Sequence, residues 1–180
     1  MPSLIEVKHL KKYFKVPAGT NHAVDDVSFS IEKGETLGVV GESGCGKSTL
    51  GRTIIRLQEA TEGQILLNGQ DITHVRKGEL RRVREQMQIV FQDPYSSLNP
   101  SFTIFGSMQE PLIRFGEKSR KARREKIAKL LEAVNLPADY MERYPNEFSG
   151  GQRQRIGIAR ALSLNPKFIV CDEPVSALDV

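Results

Sequence analysis

Nine consecutive residues, Gly41-Glu42-Ser43-Gly44-Cys45-Gly46-Lys47-Ser48-Thr49, contain the spacing G-x-x-x-x-G-K-[ST]. Glycines let a backbone turn tightly, so that successive amide N–H groups can point at phosphate oxygens. A helix opening at Lys47 sets the positive end of its dipole against the same charge. Lys47 would then reach the β- and γ-phosphates of a nucleoside triphosphate, and the Ser48 hydroxyl would ligate Mg²⁺. A chance match to this pattern is expected in about one chain in a hundred of this length. Requiring a strand before the loop and a helix after it lowers that further.

A second group with chemical potential is Phe168-Ile169-Val170-Cys171-Asp172-Glu173, an apolar run ending in two carboxylates. In phosphate-loop enzymes an acid at the end of a neighbouring strand helps hold the Mg²⁺ shell, a role that Asp172 fits. Glu173 is then offset toward the γ-phosphate, where a carboxylate can orient and polarise an attacking water. A third group is Phe148-Ser149-Gly150-Gly151-Gln152, ahead of Ile156, Ala159 and Leu162, which we place on one helical face. Ser149 caps this helix, and the two glycines leave N–H groups open to an anion. Taken alone, the segment reads equally as an ordinary capped helix.

The elements that must position these residues are legible as patterns. Val27, Phe29 and Ile31 alternate with Ser28, Ser30 and Glu32, the period of a half-buried, antiparallel strand. A turn at Lys33-Gly34-Glu35 leads to an apolar strand, Thr36 to Val40, which suits a sheet covered on both faces. A helix follows from Lys47 to Leu57. Turn signals at Glu62-Gly63 and Asn68-Gly69 bracket a strand over Gln64 to Leu67. Met87 to Phe91 is a further strand, and Pro94 to Pro100 a loop. Helices are expected over Ile104 to Phe115, over Ser119 to Val134 and from Gly151, and a last strand over Phe168 to Cys171. The fold class is α/β: a phosphate-loop (P-loop) NTPase core with N-terminal antiparallel strands and an inserted helical subdomain. We expect one domain, with core residues 1–93, a helical insert 94–163 and a return to the core over 164–180.

Composition bounds the function. The 180 residues suffice for one domain with a real core. No apolar run approaches the roughly 20 residues of a membrane span, and charges at Glu6, Lys8, Lys11 and Lys12 argue against a signal peptide. We therefore expect a cytosolic protein that reaches a membrane only through a partner. Cys45, Cys171, His9, His22 and His74 show no disulfide or metal-site spacing. The net charge of +4 reflects basic clusters over Arg76 to Arg84 and Lys118 to Lys129. They could meet an anionic partner. In the second, however, Ile127, Leu130, Leu131 and Val134 recur at helical spacing and leave the arginines and lysines outward, with no aromatic residue interleaved to stack on bases. We read it as a solvated helix face, and expect no nucleic-acid partner.

In this context the sequence resembles the ATP-binding subunits of ABC transporters, from about Leu4 to the last residue. The markers run in family order: the phosphate loop, Gln92, the signature Phe148 to Gln152, the strand ending in Asp172-Glu173, then Ser176-Ala177-Leu178-Asp179. The signature usually begins with leucine, and Phe148 departs from that with another apolar residue. The resemblance implies ATP as substrate with Mg²⁺, and a role for each marker. Tyr13 would stack on adenine, with Phe14 a close competitor. Gln92 would touch Mg²⁺ and the attacking water and link the core to the insert. Glu173 would be the catalytic glutamate. Ser149, Gly150, Gly151 and Gln152 would contact ATP held by the opposite subunit of a head-to-tail dimer, along whose seam Ser176 to Asp179 would lie.

Three segments narrow the resemblance to the second ATPase subunit of dipeptide and oligopeptide importers: Gln92 to Pro100, Tyr144 to Gln152 and Pro174 to Asp179. Nickel and glutathione importers share them. The implied partners are a second ATP-binding subunit, integral-membrane permease subunits docking near Gln92 to Phe105, and, indirectly, an extracytoplasmic solute-binding protein. The implied location is the cytoplasmic side of the membrane. An alternative is a nucleic-acid- or ribosome-associated ABC ATPase, which would account for the basic clusters. Members of that class usually carry two nucleotide domains or a long coiled-coil insert, and neither shows here. Family members continue past Asp179 with a further strand and a γ-phosphate-contacting histidine, so we expect these 180 residues alone to bind nucleotide weakly and turn it over poorly.

Overall fold

The structure, a computed structural model, describes residues 3–17, 19–93 and 97–173. They fall into two units, Met1–Arg84 and Glu85–Val180. In the first, β1 (Ile5–Val16) pairs antiparallel with both β2 (Gly19–Ile31) and β3 (Glu62–Leu67). A two-residue strand, β4 (Gln70–Asp71), completes a sheet of order β2-β1-β3-β4. Alternation fixes the register: Ile5, Val7 and Ile65 are buried to within 1%. The Asn68-Gly69 turn closes the β3–β4 hairpin with φ of 50° and 78°, the left-handed pair that matches strand twist.

The helix after the phosphate loop, α1 (Lys47–Ile54), is three residues shorter than the expected Lys47 to Leu57. Arg56 adopts φ 60°, and the N–H groups of Arg56 and Leu57 turn back onto the carbonyls of Thr53 and Arg52. This closes the helix as a glycine usually would. A helix with no expectation attached, α2 (Lys77–Gln86), lies in the first basic cluster. Val83 is its buried residue, so it offers almost no apolar period to read.

One expected strand is absent. Residues 35–42 take no regular structure, and Leu37, Val39 and Val40 are 43%, 50% and 93% exposed. Apolar β-propensity makes a segment extended, but a strand needs a neighbour to take up its N–H and C=O groups. Among the described residues none pairs with this run.

In the second unit β5 (Met87–Val90) and β6 (Phe168–Cys171) pair in parallel, with Met87 opposite Phe168 and Val90 opposite Cys171. Between them come α3 (Ile104–Arg114), α4 (Arg120–Ala133), short 3-10 turns at Ala138–Glu142 and Pro145–Glu147, and α5 (Gly150–Leu162). Thr103, Ser119 and Ser149 cap the three helices by accepting N–H bonds from Gly106, Ala122 and Gln152. The core cluster includes Ile104, Met108, Ile127, Leu131, Phe148 and Ile156. Phe148, the departure in the signature, is 4% exposed and meets Tyr140 edge-on.

Two side-chain expectations are corrected. Leu162 is 38% exposed and not on the face of Ile156 and Ala159, because six residues at helical pitch rotate it about 120° away from Ile156. Arg123 is turned inward, at 9% exposed, against the expectation that the basic residues of α4 point outward. Helical side chains lean toward the N-terminus, so its guanidinium reaches the carbonyls of Glu117 and Lys118 at 2.8 and 2.9 Å, and Gln109 Oε1 at 3.3 Å. Replacing it by leucine removes the charged donor that holds the Glu117 and Lys118 carbonyls of the α3–α4 connection. The Arg123→Leu variant should lose about 2–3 kcal/mol of stability, read from its denaturant midpoint. An unchanged midpoint would show that the three contacts contribute nothing.

Candidate functional site

The phosphate loop lies in the first unit. Residues 41–46 lead into α1 with no side-chain cap, unlike the side-chain-capped α3, α4 and α5. The first amides of a helix have no partner within it, and here the serine or threonine that satisfies them elsewhere is replaced by Gly46. Gly46 sits at φ 100°, and a Cβ built on it would lie 2.0 Å from the Ala23 carbonyl oxygen. No side chain fits that position while β2 runs where it does. The Lys47 ammonium folds over the loop, donating to the carbonyls of Gly41 and Glu42 at 2.8 and 2.7 Å, with the Cys45 sulfur 4.0 Å away. A mobile cation is thereby held over a glycine-rich turn at the positive end of a helix, which is the chemistry an oligophosphate requires.

Tyr13 and His22 are directly opposed in the β1–β2 register and stack, with centroids 3.9 Å apart and planes 17° from parallel. The Tyr13 amide donates to Thr61 Oγ1, and its phenol donates to Asp25. That hydrogen bond holds the Tyr13 phenol above its usual range, burial adding to it, and holds the Asp25 carboxyl below its own. Phe14, the competing aromatic, is opposite Asn21, with the Lys12 ammonium 4.8 Å from its ring centre.

In the second unit the parallel register carries the ends of β5 and β6 past each other in step. The Asp172 amide donates to the Val90 carbonyl at 3.0 Å, continuing the ladder by one residue. Gln92 therefore comes level with Glu173, and its amide donates to Glu173 Oε2 at 2.5 Å. Asp172 is 7% exposed, and Glu173 adopts φ 46°, an uncommon conformation for a side-chain-bearing residue. Two residues that sequence reasoning reached separately are thus direct partners.

The signature residues form a capping box at the start of α5: Ser149 Oγ accepts from the Gln152 amide at 3.3 Å, and Gln152 Oε1 accepts from the Ser149 amide at 2.9 Å. Gly150 and Gly151 make the first turn. Sequence reasoning missed Gln154. It is 2% exposed, and its amide reaches the Phe91 carbonyl at 3.5 Å, tying α5 to the strand end that carries Gln92. Its one signal was a glutamine among arginines, indistinguishable from a surface residue. Ser176 to Asp179 and Tyr95 and Ser96 lie outside the described residues.

Among the described residues no group of three His, Cys, Asp or Glu side chains could hold a metal ion. Within the second unit Gln92 and Asp172 offer amide and carboxylate oxygens, and in the first Ser48 offers a hydroxyl; each is an oxygen donor of the hard kind that Mg²⁺ takes. No helix among the described residues is long and apolar enough to cross a membrane.

Comparison with known proteins bears on the family and the fold. The ABC transporter family matches residues 24–176. The chain is 57% identical over 180 residues to the oligopeptide transport ATP-binding protein OppF of Bacillus subtilis (strain 168), covering 98% of this chain and 59% of that protein. It is 54% identical over 186 residues to AppF, an oligopeptide transport ATP-binding protein of the same strain, covering 99% of this chain and 56% of that one. It thus spans less than two thirds of the length of these relatives. Among solved structures, the dimeric post-hydrolysis state of the ATP-binding cassette MJ0796 bound to ADP and Pi superposes with a TM-score of 0.89 at 33% identity, over 97% of this chain and 76% of that one. Sequence motifs, backbone and family match agree, and the chain belongs to the ABC transporter family.

Proposed function

We propose that the protein binds and hydrolyses ATP as a peripheral subunit on the cytoplasmic side of the membrane, driving peptide import through permease partners. The observation that carries the reading is the glycine turn with the Lys47 ammonium folded over it. Peptide as the cargo rests on the names of the relatives, oligopeptide transport ATP-binding proteins. In this reading the amides of residues 41–49 and Lys47 hold the β- and γ-phosphates, and the base stacks at Tyr13. Lys47 exchanges its loop carbonyls for phosphate oxygens, a swap that keeps the ammonium fully paired throughout. Bound Mg²⁺, with Ser48, Gln92 and Asp172 as ligands, would neutralise charge on the phosphates. Glu173 orients a water for in-line attack on the γ-phosphorus and accepts its proton, and the γ-phosphoryl group leaves ADP as phosphate. Gln92, bonded to Glu173, fixes where that carboxylate points.

We further propose that Ser149, Gly150, Gly151 and Gln152 meet ATP held by a second copy or a homologous subunit. We keep the 1–93, 94–163 and 164–180 division as our reading of the domain. The solute-binding protein acts only through the permease.

The test uses the full-length protein reconstituted with its permease in proteoliposomes. Wild-type turnover should rise with peptide-loaded binding protein. Glu173→Gln should keep ATP binding and lower kcat at least about 100-fold. Gly46→Ala should lose ATP binding, since its methyl group meets the Ala23 carbonyl. Wild-type turnover in the first variant would remove Glu173 from the chemistry, and wild-type affinity in the second would remove the loop from binding.

A pH expectation follows from Tyr13 and Asp25. The raised phenol favours the folded arrangement at pH values below about 10 and loses that contribution as pH climbs through its raised value. The depressed carboxyl contributes above about pH 4 and loses it as pH falls through its lowered value. Neutral pH lies inside both limits, so the ring stays anchored there. Phenolate absorbance should show one tyrosine titrating above the ordinary value, assigned by its disappearance in Tyr13→Phe. Asp25→Asn should bring it down, and an unshifted titration in that variant would contradict the assigned hydrogen bond.

A further inference from the structure

Two rings beside the phosphate loop share one anchor. Asp25 accepts the Tyr13 phenol proton through Oδ1, and its Oδ2 lies 3.6 Å from His22 Nδ1. One carboxylate therefore anchors Tyr13 and lies close to the other member of the Tyr13–His22 stack. The residue after His22 is Ala23, whose carbonyl lies against Gly46 at the start of α1. The stack is fixed by two residues of chain to the wall of the phosphate loop. The His22 side chain remains 51% exposed, so imidazole surface faces solvent. A flat π-surface next to an anion cradle matches the two parts of a purine nucleotide. The alternative ring, Phe14, has no cross-strand aromatic partner, since Asn21 is opposite it.

We propose that His22 is a positioning residue for the base: the purine of the nucleotide stacks on the face of Tyr13 opposite His22, so that His22 backs the Tyr13 ring in a three-layer stack, with Asp25 anchoring the Tyr13 phenol. This rests on the reading of residues 41–49 as the phosphate site and of Tyr13 as the base ring. Stacking is insensitive to which atoms the ring carries, so a phenyl group can replace the imidazole, whereas a methyl group cannot.

The test compares two ligands, Mg-ATP and inorganic tripolyphosphate, which has phosphates and no base. Affinities are measured by calorimetry for the full-length protein and for Tyr13→Ala, His22→Ala and His22→Phe. His22→Ala should weaken ATP binding about five- to tenfold and leave tripolyphosphate unchanged. His22→Phe should return ATP affinity to within about twofold of wild type. Selective loss of ATP in Tyr13→Ala but not in His22→Ala would overturn the part given to His22 and leave the base site standing. Equal weakening of both ligands by His22→Ala would place the effect on the loop, and failure of His22→Phe to restore affinity would exclude stacking as the cause. Either result overturns the proposal. If neither alanine variant loses ATP selectively, the base reading itself fails, and this inference with it.

Discussion

The contact between Gly46 and the Ala23 carbonyl governs how the phosphate loop is built. It brings the start of α1 so close to β2 that only a residue without Cβ can occupy the cap position. With no side chain there, no capping hydroxyl or carboxylate competes for the first amides of the helix. The same contact ties the loop to the strand that carries His22 and Asp25, and through its pairing with β1 to Tyr13. The start of α1 and the Tyr13–His22 pair are thus held to the same strand. The sheet behind them supplies the rigidity, since β1 is paired on both sides and its inward residues are fully buried.

A second constraint acts on the acidic residues. The parallel pairing of β5 and β6 has a fixed register, so residues just beyond the two strands arrive level with each other. Gln92 and Glu173 are 81 residues apart in sequence and meet because of that register. Gln154 extends the arrangement, because a buried amide on α5 holds the end of β5 through the Phe91 carbonyl. The signature helix and the strand ends are therefore one hydrogen-bonded assembly. The helical core supports it from behind, with Phe148 and Ile156 buried on either side of the capping box.

Much of this was legible because it is local. Glycine spacing, the Ser149 cap and the four- and three-residue spacing of Ile127, Leu131 and Val134 act over a single turn or one helix face, and each appears where the pattern puts it. The rest depends on what a segment meets in space. Thr36 to Val40 has strand composition but lacks a ladder partner among the described residues, so the expected strand is not formed. The polar helix over 77–86 buries one side chain and hides its period. Arg123 and Gln154 are buried polar residues that bond backbone carbonyls, and a carbonyl leaves no mark in a sequence. Likewise, His22 read as one of three scattered histidines until the β1–β2 register set it against Tyr13.

The central claim is that the backbone of residues 41–49 holds the phosphates. Amide hydrogen exchange on the full-length protein, followed by mass spectrometry with and without Mg-ATP, tests it most directly. The account predicts that peptides covering 41–49 exchange more slowly once nucleotide is bound, because their N–H groups become donors to phosphate oxygens. Unchanged exchange over 41–49, with nucleotide bound and protection appearing only elsewhere, would contradict it.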